Sequence, residues 1–139
     1  MNEQQAVTTL NRFMVGFDLW LGASALLAPA TTLKILGHDH PSEDAEHLFR
    51  RNAPIWLTFA AAHATAARRN RPQDWNALAW LRATEWMTDV IWSRSPAVTR
   101  PGAKAGLVLA GAANAAMSLG FARMARNRGS KKRRFVVRR

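Results

Sequence analysis

The sequence contains no cysteine and no tyrosine, and it sets only nine Asp and Glu against twenty Lys and Arg. Without cysteine there are no disulfides, no thiolate metal sites and no cysteine nucleophile, and the redox compartment leaves no mark. Strand-like alternation, internal repeats and a glycine-rich phosphate loop are also missing, which leaves an all-α reading. The opening residues MNEQQAVTTLNRF lack a basic segment ahead of a short apolar core with a small-residue cleavage site. A cleavable signal peptide is therefore not expected, and the first helix itself is expected to direct entry into a membrane.

What remains is a chain of 139 residues, room for one domain, with 48% hydrophobic residues and six Trp. Its mean hydropathy of -0.19 is low for a membrane protein. Residues 124–139 hold eight of the twenty basic residues and no acid, so a tail depresses that average. Four hydrophobic segments precede it. The first runs from about Thr9 to Leu36, with Pro29 as a kink or stop. The second, Ala53–Ala67, follows HPSEDAEHLFRRN, where Pro41, Glu43, Asp44 and Glu46 suit a helix start. A helix begun near Ser42 has length to span, with Pro54 as a kink. The third, Asp74–Ser93, is amphipathic, and the fourth, Ala105–Ala122, is uncharged and rich in Gly and Ala, as in helices that approach closely in membranes.

Charge in the breaks gives an orientation. Arg68, Arg69 and Arg71 follow the second segment, and Arg123, Arg126, Arg128, Lys131, Lys132, Arg133, Arg134, Arg138 and Arg139 follow the fourth. The first break, GHDHPSEDAEH, has four acids and no Lys or Arg. Because cytoplasmic loops collect Lys and Arg, both basic regions are placed on the cytoplasmic side, against the trend of Arg94, Arg100 and Lys104 in the third break. The expected fold is an all-α four-helix transmembrane bundle with both termini cytoplasmic. Residues 1–124 form its membrane domain and 125–139 a polybasic tail, and the location is the bacterial inner membrane. A soluble helical bundle with a nucleic-acid-binding tail is the competing reading. It has to explain why the fourth segment offers no polar face over eighteen residues.

Function is sought in the third segment. At 100° per residue, Asp74, Arg82, Glu85, Asp89 and Ser93 share an arc of roughly a quarter turn, which in a bilayer must face the bundle interior or a wet cavity. Depth counting at about 1.5 Å per residue places Asp18, Arg82 and Asn114 at one level and Asp89 level with Arg50 and Arg51. Three acids against one central Arg leave a carboxyl group unpaired and available as a proton donor or relay, and Glu85 or Asp89 is the candidate catalytic acid. The same charges can instead do no more than fix the order of the helices.

The other signals are weaker. His38, His40, His47, Asp39, Glu43 and Asp44 could ligate a divalent metal but lack a ligating helical spacing, and helix-start electrostatics accounts for the acids, so no metal is assigned. His63 is either an axial ligand or a hydrogen-bonded packing residue. Trp75 and Trp92 are placed as interfacial anchors. Trp20, Trp56, Trp80 and Trp86 lie deeper, where Trp86 and its neighbours either fill volume or wall a pocket for a polyene or quinone ring beside Glu85. The tail suits anionic lipid headgroups, at about 1 kcal/mol per basic residue, better than nucleic acid, since it has no reading motif.

Arg50 and Arg51 opening the second helix, with Leu81, Arg82, Glu85 and Asp89 spaced L-R-x-x-E-x-x-x-D in the third, give the chain a plan that resembles the small bacterial DoxX-like four-helix membrane proteins over residues 9–124. Some members of that group serve in quinol-linked oxidoreductases. The resemblance thus implies a membrane complex and a quinone setting, and it carries over no catalytic residue. Two functions are expected: a non-catalytic subunit or scaffold of a membrane complex, with other membrane subunits as partners, or a membrane enzyme or binding protein for an isoprenoid or quinone-like lipid. No resident cofactor is assigned.

Overall fold

The computed structural model describes the backbone of residues 2–136 and the side chains through Ser130. The side chains of Lys131, Lys132, Arg133 and Arg134, and the whole of Arg138 and Arg139, therefore lie outside what is described. The described residues form five helices and no strand: α1 (Glu3–Leu27), α2 (Pro29–Ile35), α3 (Glu43–Arg69), α4 (Pro72–Ser93) and α5 (Pro101–Val136). The four segments expected from the sequence thus become five. Of the kink or stop expected at Pro29, the structure shows the stop. The proline ring is incompatible with the interior of α1 but suits the first position of a new helix, and the chain breaks at Ala28, where α2 begins.

Local signals explain the other boundaries. Asn2 and Gln5 close a capping box on α1, and the Ser42 side chain caps α3 ahead of Glu43, Asp44 and Glu46. Asn70 ends α3 in the left-handed conformation, after which Pro72 opens α4. Pro54 lies inside α3 and does not end it. α5 continues through the expected boundary at residue 124, so the start of the tail is helical and continuous with the last helix of the bundle.

α1 packs along α3 and α4 along α5, while the two pairs meet lightly through α3 and α4 and barely through α1 and α5. One apolar cluster, around Trp75, Leu78 and Phe121, fills the end where α3 turns into α4. A second, around Leu33, Phe49 and Ala53, fills the opposite end beneath α2. Trp75 is therefore a core residue at 1% exposure, not an interfacial anchor; it stacks near Phe121 and its indole N–H donates to Asn70 Oδ1 at 2.9 Å.

Gly22 sets the α1–α3 distance. A Cβ there would stand 2.8 Å from the Leu57 side chain and 3.1 Å from the Ala53 carbonyl oxygen. Gly22→Val is expected to push the pair apart and cost about 1–3 kcal/mol, measured by denaturant titration in mixed micelles. Gly16→Val, where the added atom meets open space, is the control.

Between the two apolar clusters the polarity is inverted. Asn11, Asp18, His63, Arg82 and Asn114 are buried, while Leu19, Trp20, Ile55, Trp80, Leu109 and Leu119 on the bundle surface are 46–70% exposed. Among the described residues one helix segment, Pro101–Ser130, is both long and apolar enough to cross a membrane, and only 28% of its apolar window is buried. α1, α3 and α4 do not meet that composition test, although at 25, 27 and 22 residues each reaches the span of about 30 Å by length.

Candidate functional site

The buried charges form a knot that ties three helices. The Arg82 guanidinium of α4 donates from Nη2 to Asp18 Oδ2 on α1 and from Nε to His63 Nε2 on α3, the latter at 3.0 Å. Behind the ring, Asn11 on α1 meets His63 twice. Its Nδ2 donates to the His63 carbonyl at 3.0 Å, and its Oδ1 lies 2.6 Å from Nδ1. Two donors on Arg82 aim at Nε2, so the network assigns the neutral Nδ1–H tautomer, with Nδ1 donating to Asn11 and Nε2 accepting from Arg82. The Phe59 ring covers the guanidinium, with its centroid 5.7 Å from Cζ. Asn11, Asp18, His63 and Arg82 are all at most 2% exposed.

His63 is thus a hydrogen-bonded packing residue, with both ring nitrogens committed within the bundle. Depth counting placed Asp18 opposite Arg82, and the two do pair. It also placed Asn114 in that cluster, whereas the Asn114 amide donates to Asp89 Oδ2 at 2.8 Å. The expected link from Asp89 to Arg50 or Arg51 is absent. Asp89 faces α5, its Cβ lodged 3.3 Å from where Gly111 would carry one, and Arg50 instead donates from Nε to the Leu26 carbonyl while Arg51 is exposed. Asn11 and Phe59 are the residues that the sequence did not single out. Asn11 had only the sign that it shares a face with Asp18.

Beside the knot lies a cavity of about 310 Å³, between α1 and α5 where those helices barely touch. Asp18, Arg82, Glu85, Asp89 and Asn114 reach its wall, and Phe13, Phe17, Trp56 and Trp92 give it aromatic sides. Phe17 lies 6.4 Å from Phe13 and 5.9 Å from Trp20, so an aromatic ladder runs along α1 beside the opening. Trp86 does not take part; it stands half-exposed on the outer surface beside Gly111. Glu85 carries no ion pair among the described residues, and the Asn114 side-chain oxygen is buried without a hydrogen-bond partner. An unsatisfied buried acceptor is costly and uncommon.

A polar clasp ties the turn after α2 to the end of α4 and to the segment before α5. The Trp92 indole N–H donates to His38 Nε2 at 2.6 Å, and burial holds the His38 pKa below its ordinary 6.5, so the ring stays a neutral acceptor. Asp39 pairs with Arg100 at 3.0 Å and accepts from Thr99 at 2.6 Å. Gly37, at φ +104°, makes the turn and its carbonyl accepts from the Thr99 N–H. The His- and acid-rich loop is thus engaged with α4 and with the segment before α5. Among the described residues no three His, Asp or Glu side chains converge as a metal site.

Comparison with family models, curated proteins and solved structures gives no match for this chain.

Proposed function

We propose that the protein is a small multi-pass membrane protein that binds a lipid-like molecule in the cavity between α1 and α5, with Glu85, Asp89 and Asn114 meeting its polar group. The observation that carries this reading is the cavity itself, whose lining combines apolar and aromatic side chains with the carboxyl groups of Asp18, Glu85 and Asp89. The inverted polarity supports a bilayer around it. Ionisable groups face the interior as membrane helices require, and large apolar side chains face outward on all four long helices.

The ends of the bundle agree. Arg68, Arg69 and Arg71 lie at the same end as the N-terminus of α1, where Arg123 on α5 meets Glu3 at 3.3 Å, while Glu43, Asp44 and Glu46 open α3 at the other end. Both termini are then cytoplasmic, and the basic end faces anionic headgroups. In this reading α3 and α4 cross the bilayer in company with α1 and α5, and the Asp18–Arg82–His63 knot conceals His63 of α3 and Arg82 of α4.

The isoprenoid or quinone-like lipid expected from the sequence and its DoxX-like plan belongs to this ligand class. A subunit that only holds a complex together has no use for an open cavity with unpaired carboxyl groups in its wall, although the knot serves assembly in either case.

The absence of cysteine makes the topology directly testable. Single substitutions His40→Cys, Ala97→Cys and Arg71→Cys fall in the breaks between helices at exposed positions. In cells, His40→Cys and Ala97→Cys are expected to react with an impermeant maleimide, and Arg71→Cys only after permeabilisation. Equal labelling of all three in intact cells, or release of the protein by carbonate, would sink the multi-pass reading. Filling the cavity tests the site. Organic extracts of the purified protein should contain a bound molecule that is depleted in Ala110→Trp, which obstructs the cavity from an exposed position on α5.

A further inference from the structure

The polar groups around the cavity are not evenly matched. Asp18, Glu85 and Asp89 supply three carboxyl groups and Arg82 one guanidinium, and the charge of Arg82 is met by Asp18, with which it pairs at close range. Glu85 and Asp89 are left without a cation. Asp89 has one oxygen on the Asn114 amide, and this turns the Asn114 Oδ1 back as a buried acceptor with nothing to accept from. Asn114 is 8% exposed. The unmet groups on this wall are carboxyl groups and an amide oxygen.

Aromatic side chains share the lining: Phe13 and Phe17 on α1, Trp56 on α3 and Trp92 on α4. Aromatic faces attract cations, and the attraction grows when the cation leaves water. Carboxyl groups and aromatic side chains in one lining suit a positively charged donor carried on an apolar body. The apolar body has somewhere to go. Leu36, Leu107 and Ala110 line both this cavity and a second space of about 530 Å³ that continues along Gly102 and Gly106 of α5. Those two glycines have nothing facing them within 4 Å.

We infer that the ligand of the cavity is a lipophilic amine, its ammonium group held between Glu85, Asp89 and Asn114 Oδ1 and its hydrocarbon chain laid along α5 toward Arg100. The inference rests on the cavity-binding reading above and specifies the polar group that the reading leaves open. An ammonium N–H donates to the Asn114 oxygen while its charge answers the unpaired acids, which a carbonyl-bearing ring or a carboxylate cannot do.

The test uses three probes of equal chain length, dodecylamine, dodecanol and dodecanoate, on the full chain in neutral maltoside micelles, with binding followed by tryptophan fluorescence. Dodecylamine is expected to bind about tenfold or more tightly than dodecanol, the gain of one charge-assisted hydrogen bond, and dodecanoate more weakly than either. Glu85→Gln combined with Asp89→Asn should erase the preference for amine over alcohol, and Asn114→Leu should reduce it. Ala110→Trp should abolish saturable binding of all three. Equal affinity for amine and alcohol, or a preference for dodecanoate, overturns the amine assignment and leaves the lipid-binding reading standing. If no probe saturates, or Ala110→Trp binds as the unaltered chain does, the cavity reading itself falls and the amine assignment with it.

Discussion

Arg82→Ala is expected to destabilise the bundle by about 3–5 kcal/mol, more than any other single substitution among the described residues, because it strands Asp18 as an uncompensated buried charge. The geometry makes the loss a double one. The guanidinium spans α1, α3 and α4, and its removal also leaves His63 Nε2 without a donor. Asp18→Asn removes the negative partner and leaves a guanidinium at 2% exposure beside a neutral ring, so its cost should be of the same order.

The pair as a whole is another matter, since replacing a buried ion pair by apolar residues of similar volume is often close to neutral. Asp18→Leu with Arg82→Met should therefore recover most of the loss. The residual deficit is about 1–3 kcal/mol, set by the unsatisfied His63 nitrogen. Unfolding by denaturing detergent, followed by far-ultraviolet circular dichroism, gives all four stabilities. A cost below about 1 kcal/mol for Arg82→Ala would show that the helices are ordered by something other than this knot.

The Asp18–Arg82 pair was legible in the sequence for a physical reason. Both residues interrupt apolar surroundings, and counting from the basic breaks fixes their depth because α1 and α4 begin at the same end of the bundle. The same counting fails for Asn114. α5 stays helical through the basic stretch that was read as a tail, so its polar residues do not mark the level at which the helix leaves the bundle. It fails for Asp89 as well, because depth says nothing of direction, and Asp89 is turned toward the small residues of α5 and away from Arg50 on α3.

Trp75 misled through its position at the start of α4. Its indole was assigned to the interface, but the turn between α3 and α4 folds over it and Asn70 supplies the partner its N–H needs. The all-helical architecture was legible from periodicity, whereas the break at Ala28 had only Pro29 to signal it. A pocket beside Glu85 was among the readings the sequence offered, but the place of the cavity between α1 and α5 was not legible. The cavity exists because α1 and α5 fail to pack, a property of the assembled helices and of no residue within them.

Removing the side chain that holds His63 from behind should be the second large loss. In Asn11→Leu, which keeps the volume, the His63 Nδ1–H and the ring orientation lose their partner inside the bundle. The ring has one escape, to move its proton to Nε2, but that nitrogen faces two donors of Arg82 and a proton there would oppose them. Neither tautomer is then satisfied, and a cost of about 1–3 kcal/mol is expected for the stranded group. Asn11→Asp retains an acceptor for Nδ1–H but gives up the donor to the His63 carbonyl and adds a second carboxylate to a site balanced by one guanidinium, so it should not restore stability. The tautomer can be read directly from nitrogen chemical shifts of histidine-labelled protein. The intact chain should show His63 protonated at Nδ1 and bare at Nε2, with that population disturbed in Asn11→Leu. A proton resident on Nε2 in the unaltered protein would mean that Arg82 does not donate to the ring, and the three-helix knot would reduce to the single pair between α1 and α4.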